Sequence, residues 1–309
     1  MAGSLVVRPD KNEFLLYSML NALGLAKGNP DSHFLRRQAV DHFNGYKGIG
    51  LKERDYNHHS KPVSYVLTIN EPPSLSVKSN LKLEEIEEDE CNIGSVVLPH
   101  LKHFYENTDF EDFYQRILPV YELECNFLQG VLERADIKGI LERVWEVNEP
   151  LEMAVIPMPL EGFSSGIGPS VNDISYSIVG PPFDYSTPRL VAHETSHSIA
   201  KKILKPIRSE IESRKDLLDL VLKNPNYPKT YHHWQTCFEE HFIRAMQIGF
   251  INPELKWDIK VEEALKVQEK KGMIFIGDFY EELKRHKQNP EKKDLSRVVN
   301  GILSRLDGY

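Results

Sequence analysis

Two histidines four residues apart, with a glutamate directly after the first, are the residues best suited to chemistry in this chain: His193-Glu194-Thr195-Ser196-His197. On a helix, positions i and i+4 lie about 40° apart around the axis and about 6 Å apart along it. Both imidazoles can then grip one ion. Glu194 sits about 100° round from His193, where it can reach a water on that ion without being a ligand. This HExxH pattern is that of zinc hydrolases: the ion brings the pKa of its water toward neutrality, and the carboxylate takes the proton. The local context suits such a helix. Leu190, Val191, Ala192, Ile199 and Ile203 supply an apolar side, Pro188 fits a first helical turn, and no proline interrupts positions 189–205. The plain alternative is an ordinary helix carrying two surface or core histidines.

A catalytic zinc needs a third protein ligand and keeps the fourth position for water. A metzincin pattern would place glycine at 200 and histidine at 203; Ala200 and Ile203 exclude it. An inverted His-x-x-Glu-His is absent too. The remaining common choice is a glutamate from a later helix, and Trp234 to Ala245 offers Glu239 and Glu240. Two adjacent carboxylates in an aromatic-rich helix are costly to bury without a cation. One is therefore expected in solvent and the other on zinc, with Glu240 preferred and Glu239 its rival. Arg244, one turn beyond Glu240, could clamp that carboxylate or bind one on a substrate. Tyr231 is the first candidate donor to a developing oxyanion, with His232, His233, Tyr176 and Tyr185 as rivals. Cys237 lies one turn before Glu240 and is assigned to core packing.

Helical periodicity dominates the elements that must position these groups. Asn12–Ala26, His33–Phe43, and two helices over Phe110–Val147 with a break near Ala135–Gly139 precede the motif. The segment from Pro62 to Ile69, rich in Val, Tyr, Leu, Thr and Ile, reads as a strand or a short buried segment. Leu151–Met158 and Ile174–Val179 read as strands, and the second is expected to run along the cleft as an edge. Gly162–Ser170 reads as a mobile rim loop. The motif helix spans Thr187–Lys202. Ser209–Leu222, Thr230–Gly249, Val261–Lys270, Phe275–Arg285 and Leu295–Leu306 follow as helices. The expected fold class is α+β, predominantly helical and zincin-like, with a small sheet before the HExxH helix. Residues 1–150 form a mainly helical N-terminal region and 151–309 the catalytic region, the two packed as one unit.

The chain has 309 residues, enough for one large domain or two small ones. Its net charge of −8 argues against nucleic acid as a partner, because phosphate binding wants a basic face. No run of about 18 apolar residues suggests a membrane span. The start, Met1 to Lys11, lacks a basic region followed by an apolar stretch, so a cytoplasmic location is expected. Cys91, Cys125 and Cys237 are too few and wrongly spaced for a disulfide framework or a cysteine-rich zinc site. The acidic stretch Glu84–Glu90 is a solvated face. A peptide or protein substrate is the expected partner.

His193-Glu194-Thr195-Ser196-His197-Ser198 followed by Glu240-His241-Phe242-Ile243-Arg244-Ala245 resembles a family of largely uncharacterised gluzincin-like proteins, a domain of unknown function. That family pairs HExxHS with a downstream E-x-x-[VI]-R-A helix. Weaker similarity extends to Glu13–Gly24, Val40–Lys47 and Lys271–Leu283. The resemblance implies a Zn²⁺ site with His193, His197 and Glu240 as ligands, Glu194 as general base and peptidase activity. It implies no substrate. Thermolysin-like enzymes place an aspartate four residues after the glutamate ligand to orient a histidine. Here Arg244 stands there and cannot accept a proton from imidazole, which leaves the histidines' supporting partner open. The alternative reading is a non-catalytic zinc-binding or binding-module protein on a relic zincin fold.

Overall fold

The computed structural model of the chain describes residues 3–26, 29–52, 60–79, 88–228, 232–289 and 295–309. It is a predominantly helical α+β protein with a small mixed sheet. The helices are Lys11–Ala22 (α1), Phe34–His42 (α2), Ser60–Val66 (α3), Glu88–Glu106 (α4), Phe110–Arg134 (α5), Ile137–Val144 (α6) and Thr187–Leu204 (α7). Arg208–Glu212 (α8), Leu217–Leu222 (α9), Trp234–Met246 (α10), Asn252–Glu254 (α11), Val261–Lys270 (α12), Ile276–Lys287 (α13) and Leu295–Leu306 (α14) follow. A π-turn over Gln247–Ile251 joins α10 to α11.

Five strands make one sheet: Leu5–Val7 (β1), Met153–Pro157 (β2), Gly166–Ile167 (β3), Ser170–Val171 (β4) and Ile174–Val179 (β5). β1, β2 and β5 run parallel, whereas β3 and β4 pair antiparallel with β5. Two expectations change here. β5 is an interior strand, with β2 on one side and β3 and β4 on the other, so the edge belongs to β3. The supposed rim loop is hydrogen-bonded into the sheet, with Gly180 N–H donating to Ser165 O at 2.8 Å and Tyr176 N–H to Pro169 O at 2.8 Å. The cause is the pair Asn172-Asp173, both at positive φ. Two such residues close a type I′ hairpin, whose twist matches the strands it joins.

Contacts divide the chain into two units that interleave in sequence: Met1–Arg134 with Leu151–Thr195, and Ala135–Pro150 with Ser196–Tyr309. In the first unit, α1 begins where Asp10 accepts from the N–H groups of Asn12 and Glu13. It presents Phe14 to Phe110, Phe113, Tyr114 and Tyr121, at ring-centroid distances of 5.4–6.3 Å. Each such fully buried ring stabilises the fold by about 2–3 kcal/mol. The sheet joins this core through Ala154, Ile156, Tyr176 and Ile178. Ser177, on the opposite face of β5, hydrogen-bonds Thr195 of α7 at 2.9 Å. In the second unit α10 is the centre. Trp234 meets Phe275 at 5.9 Å, Phe238 meets Phe279 at 4.8 Å and Phe242 meets Trp145 at 5.5 Å.

Two elements differ from their predicted form. The segment starting at Pro62 is helical through Val66, because burial of Val63 and Val66 outweighs the β-propensity of its side chains. Ser209–Leu222 is two short helices, since the chain turns over Ser213–Asp216. Tyr231, His58, His59 and most of the acidic stretch Glu84–Glu90 lie outside the described residues.

Glu13 is fully buried and neither of its carboxyl oxygens has a hydrogen-bond partner among the described residues. Burial, reinforced by the charges of Asp10 and Glu161, pushes its pKa well above the usual carboxylate value. The folded state therefore holds this proton more tightly than the unfolded chain. The contribution is full below about pH 4.5 and is lost as the pH rises toward the folded-state value. Glu13→Gln should be nearly neutral at pH 4 and should stabilise the protein by about 1–3 kcal/mol at pH 8. Denaturant unfolding across that range checks this, and a pH-independent difference would contradict it.

Candidate metal centre

α7 follows a hydrogen-bonded turn over Asp184–Thr187. Asp184 accepts from Ser186 N–H at 2.7 Å, and Thr187 Oγ1 accepts from Asp184 N–H at 2.9 Å. From that start the helix register assigns each face. Thr195 turns to β5, Ser196 accepts from Trp145 Nε1–H at 3.0 Å, and the stripe through His193 and His197 is left for a ligand. Hydroxyl side chains at 195 and 196 suit a helix buried on several sides, since each finds one nearby partner and carries no charge. Trp145 also packs edge-on against Phe242, two residues past Glu240. The indole thus sets the spacing between the later half of α7 and the α10 turn that carries the acid.

His193, His197 and Glu240 each offer one ligand atom, and these atoms lie within 4.8 Å of one another. The two imidazoles are half-buried and Glu240 is 1% exposed. This group could hold a metal ion. His197 is held at both ring nitrogens. Nδ1 lies 2.7 Å from Glu239 Oε1, and Nε2 lies 3.6 Å from Glu240 Oε2. A carboxylate only accepts, so Nδ1 carries the proton and Nε2 keeps the lone pair that binds a metal. Glu240 Oε1 faces Arg244 Nε at 2.5 Å, which leaves Oε2 toward the histidines.

The adjacent glutamates therefore divide the work. Glu240 enters the ligand group, while Glu239, expected in solvent, is only 16% exposed and orients His197. Neighbours on a helix point about 100° apart, and one imidazole ring with two nitrogens is wide enough to meet both. The sequence carried a signal for this, the Glu-Glu pair itself, but reading the pair as alternatives hid the second role. The donor set fits a divalent cation. Two nitrogens with one oxygen suit a borderline-soft ion such as zinc.

Other candidates fall elsewhere. Tyr176 faces the core of the first unit, opposite the Ser177 face that meets α7. Tyr185 is exposed and stacks edge-on against Phe127. His232 and His233 are exposed. Cys237 is buried, its thiol pushed up to about 12 by burial. His241 is fully buried beside Phe275 and Phe279; burial lowers its pKa to about 4, and its Nδ1–H donates to Cys237 O at 2.8 Å. Asp184 accepts from Ser186 N–H in the turn before α7, and Asp173 lies in the β4–β5 turn.

Fold and site together define a predominantly helical α+β protein with a His-His-Glu group placed to bind a metal ion. The chain belongs to the family described as Domain of unknown function (DUF4932), whose sequence model matches residues 25–298. Comparison with curated proteins and with solved structures found no match. Among the described residues, no helix is long and apolar enough to cross a membrane.

Zinc titration against a chromophoric chelator should show about one ion per chain. His197→Ala and Glu240→Gln should abolish that binding. Glu239→Gln should weaken it about 10–100-fold, the usual effect of losing a partner that orients a ligating histidine. Wild-type affinity in Glu239→Gln would show that the 2.7 Å contact does not support the site.

Proposed function

We propose that this protein is a zinc-dependent hydrolase acting on peptide bonds. The observation that carries the reading is the convergence of His193, His197 and Glu240, with Glu194 directly after the first ligand on the same helix. Three protein ligands with an open fourth position is the arrangement of catalytic rather than structural zinc sites. When bound, zinc polarises the scissile carbonyl and lowers the pKa of a coordinated water.

The chain's own residues do the rest. Glu194 takes a proton from the attacking water and returns it to the leaving amine nitrogen. Its 6% exposure keeps the carboxylate out of bulk solvent, where that transfer would be less directed. Glu239 keeps the proton on Nδ1 of His197, so the other ring nitrogen keeps the lone pair that would bind the ion. Arg244 neutralises one oxygen of Glu240 and holds the carboxylate in place. The zincin-like character of the fold rests on the same support: a helix bearing both histidines, lying beside a small sheet whose edge strand β3 is antiparallel to its neighbour.

The test pairs metal content with turnover. Zinc-loaded wild type should hydrolyse casein or a fluorogenic peptide library. Glu194→Gln should keep its zinc and lose at least about 100-fold in rate, the range expected for a general base. Stoichiometric zinc with no turnover on any peptide would favour the non-catalytic, metal-binding reading. Equal rates for wild type and Glu194→Gln would remove Glu194 from the mechanism.

A further inference from the structure

Two glycines of the β3 segment lie directly against the proposed base. Neither Gly166 nor Gly168 is among the glycines at positive φ, so their backbone conformations are open to any L-residue. What requires glycine is space. A Cβ added at Gly166 would lie 2.6 Å from Glu194 Oε1, 2.7 Å from its Cγ and 2.8 Å from its Cδ. One added at Gly168 would lie 1.9 Å from the Glu194 carbonyl oxygen. The strand is not free to back away. Gly166 pairs with Val179 and Ile167 with Ile178, and Ser177 of the same β5 strand is tied to α7 at Thr195, one residue past Glu194.

From this contact we infer that Gly166 is a positioning residue: its bare backbone forms the wall that sets where the Glu194 carboxylate points. The inference rests on Glu194 being the base of the proposed hydrolase. A glutamate side chain has three rotatable bonds, and a carboxylate that wanders must be brought back in each turnover. A backbone wall along Cγ, Cδ and Oε1 removes the conformers on that side before substrate arrives. Reacting groups held in advance gain rate by this route, and a displacement of about 1 Å can cost on the order of 100-fold. Gly168 fixes the same strand against the helix backbone and does not touch the carboxylate among its nearest atoms. The two glycines therefore have separable roles.

The test is a double-mutant cycle in the full chain. Gly166→Ala should retain one zinc per chain with unchanged affinity, because the three atoms nearest its methyl all belong to Glu194, which is not a ligand. On a fluorogenic peptide that wild type cleaves, kcat should fall about 10–100-fold with KM unchanged. In a Glu194→Asp background, whose shorter side chain withdraws from the new methyl, Gly166→Ala should have little further effect on kcat. Thermal unfolding gives a readout independent of turnover: Gly166→Ala should lower the midpoint when Glu194 is present and leave it unchanged in Glu194→Ala. Equal loss of stability in both backgrounds would overturn the inference, as would unchanged kcat in Gly166→Ala. Absence of peptide cleavage by wild type would count against the hydrolase reading and leave the stability cycle to decide the contact.

Discussion

A carboxylate with 1% exposure, set in a helix of aromatic residues, is the constraint around which the site is organised. Glu240 cannot remain ionised there without compensation, because moving a charge out of water costs several kcal/mol even after the surroundings relax. Arg244 meets one oxygen at 2.5 Å and supplies part of it. The other oxygen faces His197 at 3.6 Å, and a cation between acid and imidazoles would complete the compensation. Much else follows from keeping that oxygen and those rings in register. Trp145 binds Ser196 and packs on Phe242, Ser177 binds Thr195, and the Asp184–Thr187 turn leads the chain into α7. A shift of one residue in α7 would rotate its histidines by about 100° and present a different face to the acid.

The polar contacts on α7 show how a helix can be buried on several sides and still be specified. Apolar side chains alone would let it rotate or slide at little cost, since many registers bury similar area. Thr195 and Ser196 are consecutive and fully buried, and each is satisfied by a different partner. Any other rotation leaves both hydroxyls unpaired, at roughly 1–3 kcal/mol each. The polar pairs therefore contribute more to uniqueness than to net stability, because their gain over hydration by water is small. In the centre of α10, His241 shows the same economy. It is neutral under its lowered pKa and donates to the Cys237 carbonyl one turn back, so no second charge is buried beside Glu240.

Much of this was legible from the chain alone wherever a residue type carries a cost that only one arrangement relieves. The His193/His197 spacing and the buried acid at 240 are of that kind, and they stand together in the fold. β5 was readable at Ile174–Val179 because a short apolar run lay between turn residues. What stayed hidden depends on partners far away in sequence. Glu239 could be read as a solvated neighbour until His197 was placed beside it, 42 residues earlier. The segment after Pro62 has strand composition, yet its buried contacts favour a helix. Gly162–Ser170 looked loose by composition, but the Asn172-Asp173 hairpin folds it onto β5, and β5, read as an edge, becomes interior.

The charge balance of the centre also ties metal binding to folding. With no cation, the buried carboxylate of Glu240 has Arg244 against one oxygen, and the folded state keeps that charge in a region of low polarity. The unfolded chain hydrates each acid separately and has no such cost. A cation that binds only the assembled group stabilises the fold in proportion to the logarithm of its concentration over its dissociation constant. The buried carboxylate that makes the bare site costly is the same group that would draw a divalent ion. Removing an acid would ease folding of the bare chain and weaken the site in one step. On the proposed reading, the arrangement exchanges stability of the metal-free protein for affinity toward the ion.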